Sequence, residues 1–121
     1  VTKEEVNEPL RLVVGIDATP ESIDALVLSR LLASGLGAQI DAVAVLPGGR
    51  AGQAMVPEQE AKDAYFEPLF ELADRELGMA YEPHRVEGVS ASAGLTGVAE
   101  RVGATAIVIG SNARGPIGRV L

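Results

Sequence analysis

The 121 residues, 47% apolar and 22% charged, have the size and balance of one globular domain and leave no room for a second core. Aromatics at 3% with no tryptophan exclude a stacking platform for single-stranded nucleic acid, and the absence of cysteine with a single histidine excludes disulfides, thiolate zinc, thiol nucleophiles and any centre needing two imidazoles. The net charge of −7 disfavours nucleic acid and anionic membrane as partners, yet all 17 acids precede residue 101, and the stretch after it carries Arg101, Arg114 and Arg119 alone, a locally cationic end compatible with a small anionic ligand.

Residues 1–9 are charged, lack the apolar segment of a secretion signal, and read as an extension before a domain spanning 10–121. Residues 10–16, a β-branched run, predict a buried strand that ends at Asp17-Ala18-Thr19-Pro20. Thr19 is then a helix N-cap, Pro20 takes the first helical position where its missing N–H costs nothing, and Glu21 favours the positive end of the dipole. Ile23, Leu26, Val27, Leu31 and Ser34 share one face of this helix, which Gly35-Leu36-Gly37 ends. Residues 39–46 predict a second strand closed by Pro47-Gly48-Gly49, and residues 50–57, without periodicity, predict a mobile loop at the ligand rim.

From 58 to 77, Phe66, Leu69, Phe70, Ala73 and Leu77 form an apolar stripe against Lys62, Glu67, Glu71, Asp74 and Arg75, which predicts a second helix. Pro68 within it imposes a bend or a restart, since a mid-helix proline costs about 3 kcal/mol. Residues 81–86 are a weaker strand in which His84, between Pro83 and Arg85, is expected to be exposed. Ser92 or a neighbour caps a third helix through Leu95, Val98, Ala99 and Val102, ended by Gly103 and weakened by Gly94 and Gly97 at about 1 kcal/mol each. Residues 105–109 predict a near-continuous apolar strand, 110–116 a glycine-rich turn, and 117–121 the start of a helix. No apolar stretch approaches the roughly 18 to 20 residues that span a bilayer, so a soluble, cytoplasmic chain without direct membrane insertion is expected.

Apolar strands alternating with amphipathic helices predict a doubly wound α/β fold, a parallel sheet of order 3-2-1-4 covered on both faces. Such sheets bind ligands at the carboxyl ends of their strands where the winding reverses, so the segments 17–20, 46–49 and 110–116 are the places to seek a site. The segment 110–118 has the composition of a backbone cradle for phosphate, to which Arg114 can add a bidentate contact, and equally that of an ordinary glycine-rich turn. Asp17 can accept from a ligand's amino or hydroxyl group or bond its own turn. No Gly-x4-Gly-Lys-Ser/Thr occurs and no Gly-x-Gly-x-x-Gly follows the first strand, so the usual nucleotide-hydrolase and dinucleotide fingerprints are absent. A phosphoacceptor receiver fails too, because the third strand ends without Asp and the only lysines are Lys3 and Lys62.

In the stretch Leu12-Val13-Val14-Gly15-Ile16-Asp17-Ala18-Thr19-Pro20-Glu21-Ser22, the strand 42–46, and Ala104-Thr105-Ala106-Ile107-Val108-Ile109-Gly110-Ser111-Asn112-Ala113-Arg114-Gly115, the sequence resembles the universal stress protein family. The resemblance implies a five-stranded sheet of order 3-2-1-4(-5), of the adenine nucleotide alpha hydrolase-like kind, and a stress-response module that binds ATP or AMP, with Mg2+ accompanying ATP, without dedicated catalysis. It places Ile16, Asp17, Ala18, Thr19, Val45, Gly110, Asn112, Ala113 and Arg114 at the nucleotide: Asp17 at the base, the Val45 backbone along the adenine, Gly110 at ribose and phosphate. Gly110 matches the first glycine of the family's Gly-x2-Gly-x9-Gly-Ser/Thr motif and Ala113 stands at the second, while the closing pair would fall beyond Leu121. The domain is therefore expected to be incomplete at its end, to lack the fifth strand, and to expose residues 105–109 as an edge that a homodimer or a tandem partner domain would pair. The alternative is a degenerate member that serves protein interaction as one half of a tandem or an appendage of a transporter.

Overall fold

The computed structural model describes residues 9–48, 58–110 and 119–120. In chain order they form β1 (Arg11–Ile16), α1 (Pro20–Leu36), β2 (Gln39–Leu46), α2 (Gln59–Leu77), β3 (Glu82–Glu87), α3 (Ala91–Val102), β4 (Ala106–Ile109) and β5 (Arg119–Val120). The sheet runs β3-β2-β1-β4-β5. Its first four strands are parallel, and β2 lies against β1 from Arg11↔Gln39 to Ile16↔Ala44. The doubly wound order expected of the sequence is the observed one.

Two expectations at the far edge are corrected. Arg119 and Val120 are not helical: they form a strand antiparallel to β4, pairing Val108↔Val120 and Ile109↔Arg119. The edge of β4 is therefore paired at Val108 and Ile109, and the sheet has a short fifth strand, of opposite direction to the one expected to be missing. The segments 50–57 and 111–118, where a mobile loop and the phosphate turn were expected, lie outside the described residues.

Strand alternation divides the core in two. Leu12, Val14 and Ile16 with Ile40, Ala42 and Ala44 face α1 and α2, and Leu26, Phe66, Leu69 and Leu77 close that layer. Val13, Val43 and Val45 point to the other face, against Val98 of α3. All three helices stop on glycine in the left-handed conformation, at Gly37, Gly78 and Gly103. The chain turns sharply at each because no Cβ opposes it.

The buried face of α1 differs from the sequence reading: Ser22, Ala25, Leu26, Ser29 and Ala33 go inside, while Ile23 and Leu31 face out, Leu31 with 60% of its surface exposed. Small residues let the helix approach the sheet closely, so size outweighed hydrophobicity in choosing the face. Helix α2 places its stripe as expected, with Phe70 only half-buried, and runs unbroken through Pro68. That proline is on the exposed side, where the carbonyl it cannot bond meets water. The cap of α3 is Ser90, a neighbour two residues before Ser92, and its Oγ accepts from the Ala93 amide at 3.1 Å.

His84 is the main correction. Its Nε2 lies 2.9 Å from Oδ1 of Asp41, a fully buried carboxylate that also takes Arg11 Nε at 3.0 Å and Arg11 Nη2 at 2.8 Å. The ionic group ties β1, β2 and β3 together toward their amino ends on the α3 face. Burial raises the Asp41 pKa, but the hydrogen bonds from Arg11 and His84, with their charges, outweigh it and hold the carboxyl below the ordinary aspartate range.

Candidate functional site

Winding reverses between β1, which leads through α1 to β2, and β4, which the chain reaches by crossing the sheet over α3. A parallel sheet must open there, because the connections leave its two adjacent carboxyl ends in opposite directions. A cleft of about 310 Å3 occupies this place. Its floor is apolar, from Val43, Val45, Ile107, Ile109 and Leu95, and polar groups stand at the rim.

At the end of β1 Asp17 lines the cleft, and its carboxylate organises its own turn. Oδ1 accepts from the Thr19 amide at 2.8 Å and from the Thr19 hydroxyl. Oδ2 has no hydrogen-bond partner among the described residues. The sequence reading in which Asp17 bonds its own turn is the one seen here, through Oδ1. Thr19 is the N-cap of α1 as expected, but its hydroxyl serves Asp17 instead of a helix amide, and its carbonyl accepts from the Ser22 amide at 3.0 Å. Ser22, buried at the first turn of α1, accepts from the Asp17 amide at 3.1 Å and lines the cleft.

Of the residues expected at a ligand, Ile16, Asp17, Val45 and Gly110 wall the cleft together, whereas Ala18 and Thr19 are not among its walls. Asn112, Ala113 and Arg114 lie outside the described residues. At Gly110 a Cβ would fall 2.2 Å from the Glu21 carbonyl oxygen, so the first turn of α1 already demands glycine there. Its need is set by the chain's own backbone.

Sequence reasoning missed Ser22, Leu95, Ser92, Thr96 and Tyr65. The α3 residues were missed because the loop after β3 was left out of the carboxyl-edge segments, although the rule that singles out the loops after β1, β2 and β4 applies to it equally. Ser92 and Thr96, one helical turn apart, face the cleft from α3. Tyr65 of α2 donates its hydroxyl to the Val45 carbonyl at 2.7 Å. Burial first, then the charge of Asp17, push its phenol above the ordinary tyrosine range.

Among the described residues no group of three or more His, Cys, Asp or Glu side chains is placed to hold a metal, and no helix is long and apolar enough to cross a membrane. The cleft offers one carboxylate, half of it committed to Thr19, so a Mg2+ there would depend on ligand phosphates for its other oxygens.

No curated protein matches the chain significantly. Solved structures do: a universal stress protein family member from Burkholderia pseudomallei, at 23% identity and TM-score 0.66, over 85% of this chain and 82% of that one. A universal stress protein solved in complex with cAMP follows, at 18% identity and TM-score 0.58, over 81% and 73% of the two chains. A universal stress protein from Archaeoglobus fulgidus covers 94% of this chain and 85% of its own, at 21% identity and TM-score 0.56. These likenesses establish the fold. The sequence itself matches the universal stress protein family over residues 10–121. A match over that length, on a sheet of this order with its cleft at the reversal, makes the chain a member of the universal stress protein family.

Proposed function

We propose that the protein is a regulatory module that binds an adenine nucleotide, ATP or AMP, in the cleft between β1, β4 and α3, without dedicated catalysis. The observation that carries this reading is the cleft itself: an apolar floor in a volume of about 310 Å3, walled by Asp17 at the end of β1 and Gly110 at the end of β4. The relative solved with cAMP supports a nucleotide as the occupant. Catalysis is not proposed because the described walls bring Asp17 together with the hydroxyls of Ser22, Ser92 and Thr96 but supply no base, nucleophile and orienting group in sequence. Calorimetric titration with ATP, AMP and adenosine tests the reading. Saturable heat with each is expected, and no heat with any of them would remove it.

A second reading is favoured by two exposed apolar side chains of α1, Leu31 and Leu36, which expose 60% and 57% of their surface. Two large apolar side chains held in water suit a protein contact, either a homodimer or a tandem partner domain in the cytoplasm. Sedimentation of the wild type against Leu31→Gln tests it: a dimer that dissociates on substitution supports the contact, and a monomer in both cases opposes it.

A further inference from the structure

Glycine inside a strand is costly, because it packs nothing and loses the most freedom on folding, so its place in β1 needs a reason. Gly15 is not in the left-handed region, so its backbone does not require it. The reason is space. On the face of the sheet that meets α3, alternate positions form rows across the strands: Asp41, Val13 and Ile107 make one, and Val43, Gly15 and Ile109 make the next toward the carboxyl ends. The first row is filled, whereas the second has a gap one side chain wide at its centre.

Leu95 drops into that gap from α3. A Cβ on Gly15 would fall 3.1 Å from each Leu95 methyl and 3.4 Å from a methyl of Ile109, so the leucine already occupies the place of the absent side chain. Leu95 is half-buried, packs against the valine cluster of this face, and walls the cleft together with Gly15, Val43 and Ile109. The depth of the cleft at this row is therefore set by how far Leu95 sinks. How far it sinks is set by the missing side chain of Gly15.

We propose that Leu95 is a specificity-determining residue of the cleft, seated by Gly15: sunk into the gap, it leaves room for an unsubstituted purine and excludes bulk carried on the base. This rests on the nucleotide reading of the cleft, and it puts the size filter on α3. In Gly15→Ala a methyl takes the place of the Leu95 methyls, and the flexible end of the leucine turns into the open space beside it, which is the cleft. Adenosine is then bound roughly 10-fold more weakly, the worth of about one misplaced methylene in an apolar pocket. Adding Leu95→Ala removes the obstruction and restores adenosine binding. Leu95→Ala alone deepens the cleft, so a base-substituted adenosine gains roughly 10-fold relative to adenosine itself.

Calorimetric titration of wild type, Gly15→Ala, Leu95→Ala and the double variant, alongside thermal unfolding of each, decides it. The probes are adenosine, an adenosine with a benzyl group on its exocyclic amine, and one with bromine on its five-membered ring, the gain being expected for at least one of the two substituted forms. Unchanged adenosine affinity in a folded Gly15→Ala protein overturns the proposal and leaves the nucleotide reading standing. A loss that persists in a folded double variant does the same, as does a Leu95→Ala protein that keeps the wild-type preference for adenosine over both substituted forms. Should Gly15→Ala fail to fold, the Leu95→Ala ratios decide alone. A wild type that binds neither adenosine, nor ATP, nor AMP overturns both readings.

Discussion

Asp41 shows what a single residue costs and contributes when it is read out of its context. In Gln39-Ile40-Asp41-Ala42 it interrupts an apolar run, yet its partners Arg11 and His84 are 30 and 43 residues away, a distance no local pattern spans. A fully buried carboxylate is tolerated only if its lone pairs are filled, and here two neighbouring strands fill them. Asp41→Ala leaves a guanidinium and an imidazole facing each other without their acceptor, and is expected to destabilise the fold by about 3 kcal/mol in urea denaturation. The folded carboxyl titrates below its unfolded value, so its stabilisation is complete above the ordinary aspartate range of about 4 and is lost as pH falls through the lower folded value. Asp63, held low by its hydrogen bond from Arg85, contributes to the same acid limb from the surface. Asp41→Asn should therefore flatten, not abolish, the fall of the urea midpoint between about pH 4 and pH 2. Ser29 is the opposite case: its Oγ is buried without a hydrogen-bond partner among the described residues, so Ser29→Ala removes an unpaired hydroxyl and raises helix propensity. A gain of about 1 kcal/mol, seen as a higher Tm, is expected.

At the scale of the element, the sequence was most legible where one effect dominated. The bounds of β2 came out as expected because eight residues between turn signals admit no other period, and α2 because its stripe is unambiguous. In α1 two apolar faces compete, and periodicity cannot tell that Ser22, Ala25, Ser29 and Ala33 win by being small. Glycines in α3 carry the same lesson about close approach. A Cβ on Gly94 would lie 2.7 Å from a Val45 methyl, whereas one on Gly97 would meet nothing within 4 Å. The two substitutions should therefore have opposite signs: Gly97→Ala stabilises by up to about 1 kcal/mol through helix propensity, and Gly94→Ala destabilises by about 1–2 kcal/mol because α3 must lift from β2. Lifting α3 also displaces Leu95 and Thr96 from the cleft, so Gly94→Ala should weaken adenosine binding while Gly97→Ala leaves it unchanged. Parallel thermal melts and titrations of the two variants check both statements.

For the whole molecule, topology placed the site before any side chain was located, since a reversal between β1 and β4 opens a cleft at their carboxyl ends whatever the residues are. The free edge at β3 is protected by its own charges and by Pro83, and Lys62–Glu87 and Arg85–Asp63 tie it to α2, so the sheet does not invite pairing there. Charge was legible as a gradient along the chain and not as a map. The acids precede residue 101, and two of the three bases after it, Arg114 and Arg119, follow β4 in sequence. Phosphate is the costliest part of a nucleotide to desolvate, and Arg114 is the nearest base after Gly110 in sequence. Arg114→Ala is therefore expected to weaken ATP more than adenosine, and to reduce the salt dependence of ATP binding, because a charge contact is screened as ionic strength rises. Asp17 contacts the part that the two ligands share, so Asp17→Ala should weaken both about equally, by roughly 1–3 kcal/mol for a charged acceptor. Titration of the two variants with both ligands at two salt concentrations separates these contributions: equal losses of ATP and adenosine on Arg114→Ala would remove the phosphate role of the cationic stretch and leave the cleft a nucleoside site.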